Sequence, residues 1–275
     1  SLFGLIFGLS VLIIFIFSEP PEGLSKIGWL TAGVALLMTI WWITEAIPIY
    51  LTGIIPLILF PIFNIFDLKL VASSYAHPLV LLFLGGFIIA SAMEACGLHK
   101  RIALNILSLS GTSPSKIIAG FMIATAFISM WVSNTASTIM MLPIAASVIT
   151  IFSNQSNIRN ENFAIPLLLA IAYSASIGGA STLIGTPTNI MLSSILSDSY
   201  NYEISFFDWL LIGLPVAIFL LPTVWFFLTN ISFNVSKKKS NALERTIQEM
   251  RGEIGSPSFT EKIVATVFFL TATFW

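Results

Sequence analysis

Two short polar segments interrupt long apolar stretches of this sequence, and their residue types suit the binding of small ions. Residues 129–135 read Ser-Met-Trp-Val-Ser-Asn-Thr, and residues 185–189 read Gly-Thr-Pro-Thr-Asn. Neither segment contains Lys, Arg, His, Asp or Glu. Any ion bound there must therefore be held by hydroxyl groups, side-chain amides, backbone groups and co-bound ions.

The first segment has the groups that a sodium ion prefers. Ser129 and Ser133 are four residues apart, so their hydroxyls share one face of a helix, and Asn134 adds an amide oxygen. Sodium is a hard cation that favours oxygen ligands, as other hard cations do. A helix that ends inside a membrane also turns its last carbonyl oxygens toward the gap. We therefore expect a neutral oxygen cage at this segment.

Both segments also have features that suit an anion. A helix that restarts after Asn134 presents unpaired N–H groups and the positive end of its dipole. In the second segment, Gly185 allows a close backbone approach or a positive φ, and Pro187 suits the first turn of a restarting helix. Thr186 and Asn189 add a hydroxyl and an amide. A single Ser or Thr in a membrane helix usually bonds within its own turn or to a neighbouring helix, but two polar interruptions in adjacent segments favour one shared site.

The elements around these segments follow from composition. The 275-residue chain is 56% hydrophobic and only 9% charged, against about 25% charged residues in soluble domains. Several apolar stretches approach or reach the roughly 20 residues that cross a hydrocarbon core of about 30 Å. They are Leu2 to Phe17, Gly28 to Thr44, Ile49 to Phe66, Pro78 to Ala95 and Phe207 to Leu228. The sequence therefore predicts an all-α polytopic membrane protein.

The polar segments lie inside two of the apolar regions. Non-helical backbone at membrane depth persists only where it is buried in protein or lines a cavity. We therefore interpret residues 114–150 as a re-entrant hairpin with a polar tip, and residues 162–198 as one span that is unwound near its centre. Together they lie within residues 113–200, which follow the N-terminal spans at residues 1–112.

The remaining chain is predicted to hold a sixth span and a polar connection. Residues 201–236 contain the sixth span, and residues 260–275 begin another apolar stretch. Between them, residues 237–259 are charged, with apolar side chains three or four positions apart, so either a cytoplasmic amphipathic helix or a soluble linker fits. Those apolar side chains are Leu243, Ile247, Met250 and Ile254.

Basic residues predict the orientation of the spans, because Lys and Arg remain cytoplasmic in short loops. A cytoplasmic N-terminus places ten of the twelve basic residues inside, provided that residues 114–150 enter and leave on the same side. We therefore expect a multi-pass protein of the cell inner (plasma) membrane. The ten are Lys100, Arg101, Lys116, Arg159, Lys237, Lys238, Lys239, Arg245, Arg251 and Lys262.

Other classes of function fit the sequence less well. It has no basic patch with interleaved aromatic residues, so we expect no nucleic-acid partner. Cys96 is the only cysteine, which excludes an intrachain disulfide and a cysteine-rich metal site. An intramembrane enzyme needs a nucleophile with a base, or metal ligands, and the polar segments supply neither. We expect no enzyme activity and no cofactor. A channel is a remote alternative, because a polar hairpin can line a pore.

Several motifs together resemble the divalent-anion:sodium symporter family. They are Trp-Ile-Thr-Glu-Ala-Ile-Pro-Ile-Tyr at residues 42–50, Gly-Gly at 85–86, Gly-Leu-His-Lys-Arg at 97–101, Ser-Asn-Thr at 133–135 and Gly-Thr-Pro-Thr-Asn at 185–189. The similarity extends over about residues 31–228. It implies a homodimeric elevator-type carrier, in which residues 1–112 are mainly scaffold and residues 113–200 belong to the moving transport region.

The resemblance also implies roles for individual residues. Ser129, Ser133, Asn134 and Gly185 are similar to the family's first sodium site. Asn134, Thr135, Thr186 and Pro187 match positions near the substrate carboxylate. The family uses two inverted repeats, each with its own Ser-Asn-Thr hairpin and broken span, and this chain holds the first. Residues 260–275 resemble a truncated start of the second repeat, so we expect the N-terminal half of a longer carrier.

The activity implied by the resemblance is secondary active transport. Sodium entry would drive the uptake of divalent anions such as the C4-dicarboxylates succinate, malate and fumarate, with sodium as the coupling ion and the lipid bilayer as the environment. A related carrier for citrate, sulfate or an oxyanion, or a sodium-independent dicarboxylate exchanger, remains an alternative.

Overall fold

The computed structural model describes residues 1–155, 161–237 and 241–274, and within them every regular element is a helix. Among these residues, five helical stretches are long and apolar enough to cross a membrane. The prediction of an all-α polytopic membrane protein is therefore confirmed. The five are Lys26–Thr44, Leu68–Ala95, Asn134–Phe152, Asn162–Ala180 and Phe206–Ser232. Shorter apolar helices are Leu2–Phe17, Ile49–Ile62 and Pro114–Ser129.

The chain divides into two compact units, Ser1–Val80 and Leu81–Trp275. The first unit contains α1 to α4, which are Leu2–Phe17, Lys26–Thr44, Ile49–Ile62 and Leu68–Tyr75. Helices α1 and α2 pack closely because glycines of α1 face large side chains of α2: Gly8 lies against Trp41 and Leu37. The buried core of this unit consists of Leu12, Val34, Leu37 and Ile55.

The second unit holds the remaining helices and both polar segments. Its helices in chain order are α5 Pro78–Ala95, which begins just before the unit boundary, α6 Leu98–Ser110, α7 Pro114–Ser129, α8 Asn134–Gln155, α9 Glu161–Ala180, α10 Pro187–Tyr200, α11 Phe206–Phe226, α12 Asn241–Glu253 and α13 Phe259–Phe274. A π-helical turn, Phe227–Ser232, continues α11. Most residues of α7 are buried, because this helix is apolar on nearly all sides and lies against α6 and α9.

Both polar segments contain a non-helical stretch between consecutive helices. Helix α7 ends at Ser129 and α8 begins at Asn134, whereas α9 ends at Ala180 and α10 begins at Pro187. Pro187 occupies the first helical position, where its missing N–H costs no hydrogen bond. Whether α7 and α8 re-enter the membrane from one side remains a prediction.

The charged connection at residues 237–259 contains helix α12. Ile247 is buried, and Met250 and Ile254 pack against the same apolar core. The neighbours of α12 are α6 and α8. These three side chains pack toward the core of the unit, and whether α12 also rests on the membrane surface remains a prediction.

Arg101 has a more specific role than its predicted one as an orientation signal. Its guanidinium donates to both carboxylate oxygens of Glu261, at 2.9 and 3.0 Å, and to the Gly255 carbonyl at 2.8 Å. The Glu261 side chain is only 5% exposed. This ion pair therefore ties α6 to the start of α13. Of the other residues used for orientation, Arg159, Lys238 and Lys239 lie outside the described residues, as does Trp275 at the end of the predicted 260–275 segment.

Candidate functional site

Three oxygen atoms converge where α7 ends. The hydroxyl oxygen of Ser129 lies 2.8 Å from Oδ1 of Asn134 and 2.7 Å from the carbonyl oxygen of Ala175 on α9. Ser129 is fully buried. A serine hydroxyl has one hydrogen, and the amide Oδ1 and the carbonyl oxygen can only accept. Three oxygens therefore share a single proton, an arrangement of partial negative charge that a cation would stabilise.

Gly179 allows this convergence because it has no side chain. A Cβ at Gly179 would lie 2.0 Å from Oδ1 of Asn134, and a Cβ at Gly185 would lie 2.4 Å from the carbonyl oxygen of Gly179. The φ of Gly185 is not in the positive region, so close backbone approach is the reason that glycine is required there. Gly179 thus lies between Asn134 and Gly185 and brings the two polar segments together.

Ser133 has a different environment from the other predicted sodium ligands. Its hydroxyl accepts a hydrogen bond from the backbone N–H of Ala136 at 3.3 Å, and its carbonyl accepts one from the N–H of Ser137 at 2.9 Å. Ser133 therefore caps the start of α8. The structure brings Ser129, Asn134 and Gly185 together around Gly179, whereas the hydroxyl of Ser133 is engaged by the helix start.

The predicted anion-binding residues lie at two helix starts. Asn134 and Thr135 open α8, and Pro187 opens α10 directly after Thr186. Thr135 and Pro187 are exposed, and the Thr186 hydroxyl lies 3.2 Å from that of Thr188. Helix starts carry unpaired N–H groups and partial positive charge. The geometry of each helix start thus suits an anion, although the structure gives no contact between Thr135 and Thr186.

The two helix breaks, between α7 and α8 and between α9 and α10, are also joined directly. The hydroxyl of Thr182 donates to the carbonyl oxygen of Met130, which belongs to the turn between α7 and α8. Helix α11 supports the second break from another side: the indole N–H of Trp209 donates to the Ala180 carbonyl at 3.0 Å, and Gly213 lies against the backbone of Ser181. The two breaks therefore form one connected structure.

The two polar segments carry no charged side chains. Neither segment contains a titratable side chain, and within the described part of the chain no group of three or more His, Cys, Asp or Glu residues could hold a metal ion. What the structure offers is neutral oxygens near the carbonyl ends of α7 and α9, beside the N–H ends of α8 and α10. A monovalent hard cation and an anion fit this combination better than a divalent transition metal.

Sequence reasoning missed several contributors to this structure. The carbonyl of Ala175 has no sequence signal, because every residue carries a carbonyl. Gly179 is half of a Gly-Gly pair in the interrupted helix, which indicates close packing without identifying the partner. Thr182 and Trp209 make hydrogen bonds that depend on how the backbone turns between α9 and α10. The amide of Asn189 was expected to serve a ligand, but its nitrogen bonds the Gly179 and Thr182 carbonyls.

Helices of membrane-spanning length, together with two interrupted helices in contact, define this chain as a polytopic helical membrane protein with a polar site at its helix breaks. A family model described as "Citrate transporter" matches residues 39–275. The chain belongs to the citrate transporter family.

Individual relatives show a narrower similarity. The chain is 40% identical over 282 residues to the sodium-dependent dicarboxylate transporter SdcS of Staphylococcus aureus strain USA300, an alignment that covers 100% of this chain and 54% of the relative. It is 39% identical, with the same coverage, to the proteins of that name from strains NCTC 8325 and COL. The chain spans about half the length of the curated relatives it matches. The motif resemblance to sodium-coupled carriers of divalent anions is confirmed.

Proposed function

We propose that this protein is a secondary active transporter that couples sodium entry to the uptake of divalent anions such as succinate, malate and fumarate. The observation that carries the proposal is the convergence of the Ser129, Asn134 and Ala175 oxygens around one proton, beside the starts of two helices. The similar proteins from S. aureus are named sodium-dependent dicarboxylate transporters, which agrees with a cation and an anion sharing one site.

Each ion has proposed ligands in the two segments. The hydroxyl of Ser129, the amide oxygen of Asn134 and the backbone at Ser133 and Gly185 would hold sodium. The starts of α8 and α10, with Asn134, Thr135, Thr186 and Pro187, would bind one carboxylate. With no Lys or Arg in either segment, the bound sodium supplies the positive charge that offsets the anion.

The membrane potential sets a requirement on the coupling. Moving one charge across 100 mV changes the free energy by about 2.3 kcal/mol, so a dianion entering against an inside-negative potential costs about 4.6 kcal/mol. Two sodium ions only cancel this cost. We therefore propose that accumulation uses more than two sodium ions for each dianion, which requires sodium ligands beyond those of the Ser129 cluster.

The proposed transport movement is of the elevator type, within a homodimer. Residues 1–112 would be mainly scaffold and residues 113–200 would move. Helix α7 has 16 residues, about 24 Å at 1.5 Å per residue, which is short of a hydrocarbon core of about 30 Å. We propose that α7 and α8 form a re-entrant hairpin, with its tip at the turn between Ser129 and Asn134. A cytoplasmic N-terminus in the inner membrane follows from the distribution of basic residues.

Citrate is the second candidate substrate, because the family that includes this chain is described by citrate transport. Citrate and the C4-dicarboxylates both present carboxylates to helix starts, so the Asn134 and Thr186 region does not separate them. If sulfate or another oxyanion is the substrate, it should compete with succinate for uptake. If the protein exchanges two dicarboxylates without sodium, succinate uptake should persist when sodium is absent.

A chimera tests the proposal. In it, this chain replaces the aligned part of the USA300 relative, and the purified protein is reconstituted in liposomes. We expect saturable succinate uptake with an inward sodium gradient and none with choline in place of sodium. Uptake that requires only internal dicarboxylate would indicate an exchanger. Inhibition by citrate well below the half-saturating succinate concentration would favour citrate. Non-saturable flux without sodium dependence would indicate a pore and would contradict the proposal.

A further inference from the structure

Asn189 makes an unusual set of hydrogen bonds across the break between α9 and α10. Its side-chain nitrogen lies 3.1 Å from the carbonyl oxygen of Gly179, 2.8 Å from that of Thr182 and 3.5 Å from that of Ala180. Asn189 is 8% exposed. One side chain near the start of α10 therefore bonds both to the end of α9 and to the turn that follows it.

These carbonyls need partners because a helix leaves its last four C=O groups without intrahelical bonds. An asparagine amide has two N–H groups, so the short contacts to Gly179 and Thr182 account for both. The Ala180 carbonyl receives the indole N–H of Trp209 at 3.0 Å instead. Gly178 accepts from the N–H and the hydroxyl of Ser181, at 3.0 and 2.6 Å. The end of α9 is thus stabilised by side chains from several elements, with Asn189 at its centre.

The carbonyl that Asn189 holds belongs to the residue on which the oxygen cluster depends. Gly179 is in contact with the amide of Asn134 and with the backbone of Gly185. If Gly179 moves, the amide oxygen beside Ser129 and the close approach of Gly185 both change. The N–H groups of Asn189 are directed at carbonyls and cannot ligate a cation, so these hydrogen bonds act on the cluster through Gly179.

We infer that Asn189 is a positioning residue, which fixes the turn between α9 and α10 in the geometry that binds the cation. The inference rests on the proposed function only in taking sodium as that cation. A purely structural role would lower the stability of the chain equally with and without sodium. A positioning role changes the sodium concentration needed for binding.

Asn189→Leu tests the inference, because leucine has a similar size and no hydrogen-bond donor. Asn230→Leu is the matched control: the Asn230 amide also donates two bonds, to the Phe226 carbonyl at 3.1 Å and the Thr229 hydroxyl at 3.0 Å, but within the π-helical turn that continues α11. If Asn189→Leu does not yield folded protein, Asn189→Ser takes its place in the test, because serine keeps one hydrogen-bond donor.

Two measurements on the purified chimera that carries this chain decide the outcome. Hydrogen exchange followed by mass spectrometry reports the mobility of residues 181–186, and thermal unfolding over a sodium titration at constant ionic strength reports sodium affinity. In Asn189→Leu we expect at least tenfold faster exchange in residues 181–186 and at least a tenfold higher half-saturating sodium concentration. In Asn230→Leu we expect neither change.

Each of the other possible results contradicts a different step of the inference. Unchanged exchange in residues 181–186 would show that Asn189 does not hold the turn. Faster exchange with an unchanged sodium midpoint would show a structural role alone. If the unsubstituted chimera shows no sodium response, the sodium part of the proposed function fails as well, and the positioning role falls with it.

Discussion

Replacing Gly179 by alanine should separate sodium binding from folding. The added Cβ would lie 2.0 Å from Oδ1 of Asn134 and 2.9 Å from its Cγ, whereas ordinary contacts begin at 3.4 Å. The obstructing atoms belong to a side chain, so the backbone need not move. The Asn134 amide must shift by about 1.4 Å to restore normal contact, which takes it away from the Ser129 hydroxyl.

The size of the effect follows from the geometry that a cation demands. Ligand distances in metal sites hold within about 0.2 Å, so a displaced Asn134 oxygen no longer serves as a ligand. We expect sodium affinity to fall by about 10- to 100-fold, the range found when supporting groups of metal sites are removed. Folding should change little. Alanine is favoured over glycine in a helix by about 0.5–1 kcal/mol, which roughly offsets one lost hydrogen bond of about 0.5–1.5 kcal/mol.

Thermal unfolding of the purified chimera in sodium chloride and in choline chloride measures both quantities. At a sodium concentration of 100 times Kd, binding stabilises the unsubstituted chimera by about 2.7 kcal/mol, and a 100-fold weaker site leaves about 0.4 kcal/mol. Gly252→Ala is the matched control, since a Cβ at Gly252 meets nothing within 4 Å. A Gly179→Ala chimera that keeps the full sodium stabilisation would refute the placement of Asn134 in the cation site.

Other substitutions test separate parts of the account. In the chimera, Asn134→Ala should abolish sodium-driven succinate uptake while expression and dimerisation stay normal, because it removes a proposed ligand and little packing; uptake equal to that of the unsubstituted chimera would refute the assignment. Arg101→Ala should lower the denaturant concentration at the midpoint of unfolding, because it leaves the Glu261 carboxylate without its guanidinium partner, and Arg101→Ala with Glu261→Gln should lower it by less than the sum of the two single changes. Ser137→Ala should raise the free energy of unfolding by about 1 kcal/mol, because the buried Ser137 hydroxyl has no partner; a clear loss of stability would show an undetected bond.

Much of the fold could be predicted because hydropathy reports it directly. Apolar stretches, polar interruptions and Pro187 at a helix start are local features, and the structure has helices and helix breaks at those places. Helix α6 was not predicted, although its buried residues recur with helical spacing. They are Leu98, Ala103, Leu104 and Leu107. The basic residues between them were interpreted only as an orientation signal.

The parts that sequence could not predict depend on contacts between distant residues. Arg101 and Glu261 are 160 positions apart, and nothing local pairs them. For the site, residue types indicated an oxygen cage at Ser129 and Asn134, but the third oxygen is the backbone carbonyl of Ala175. Such a contribution becomes visible only once α7 and α9 are packed together.

The central claim is that the two helix breaks of this chain form a sodium site, and direct binding of radioactive ²²Na⁺ to the purified chimera that carries this chain tests it most directly. The account predicts saturable binding that excess unlabelled sodium displaces, that potassium does not displace, and that Ser129→Ala and Asn134→Ala each weaken at least tenfold. No saturable binding, or binding that both variants retain unchanged, would contradict it.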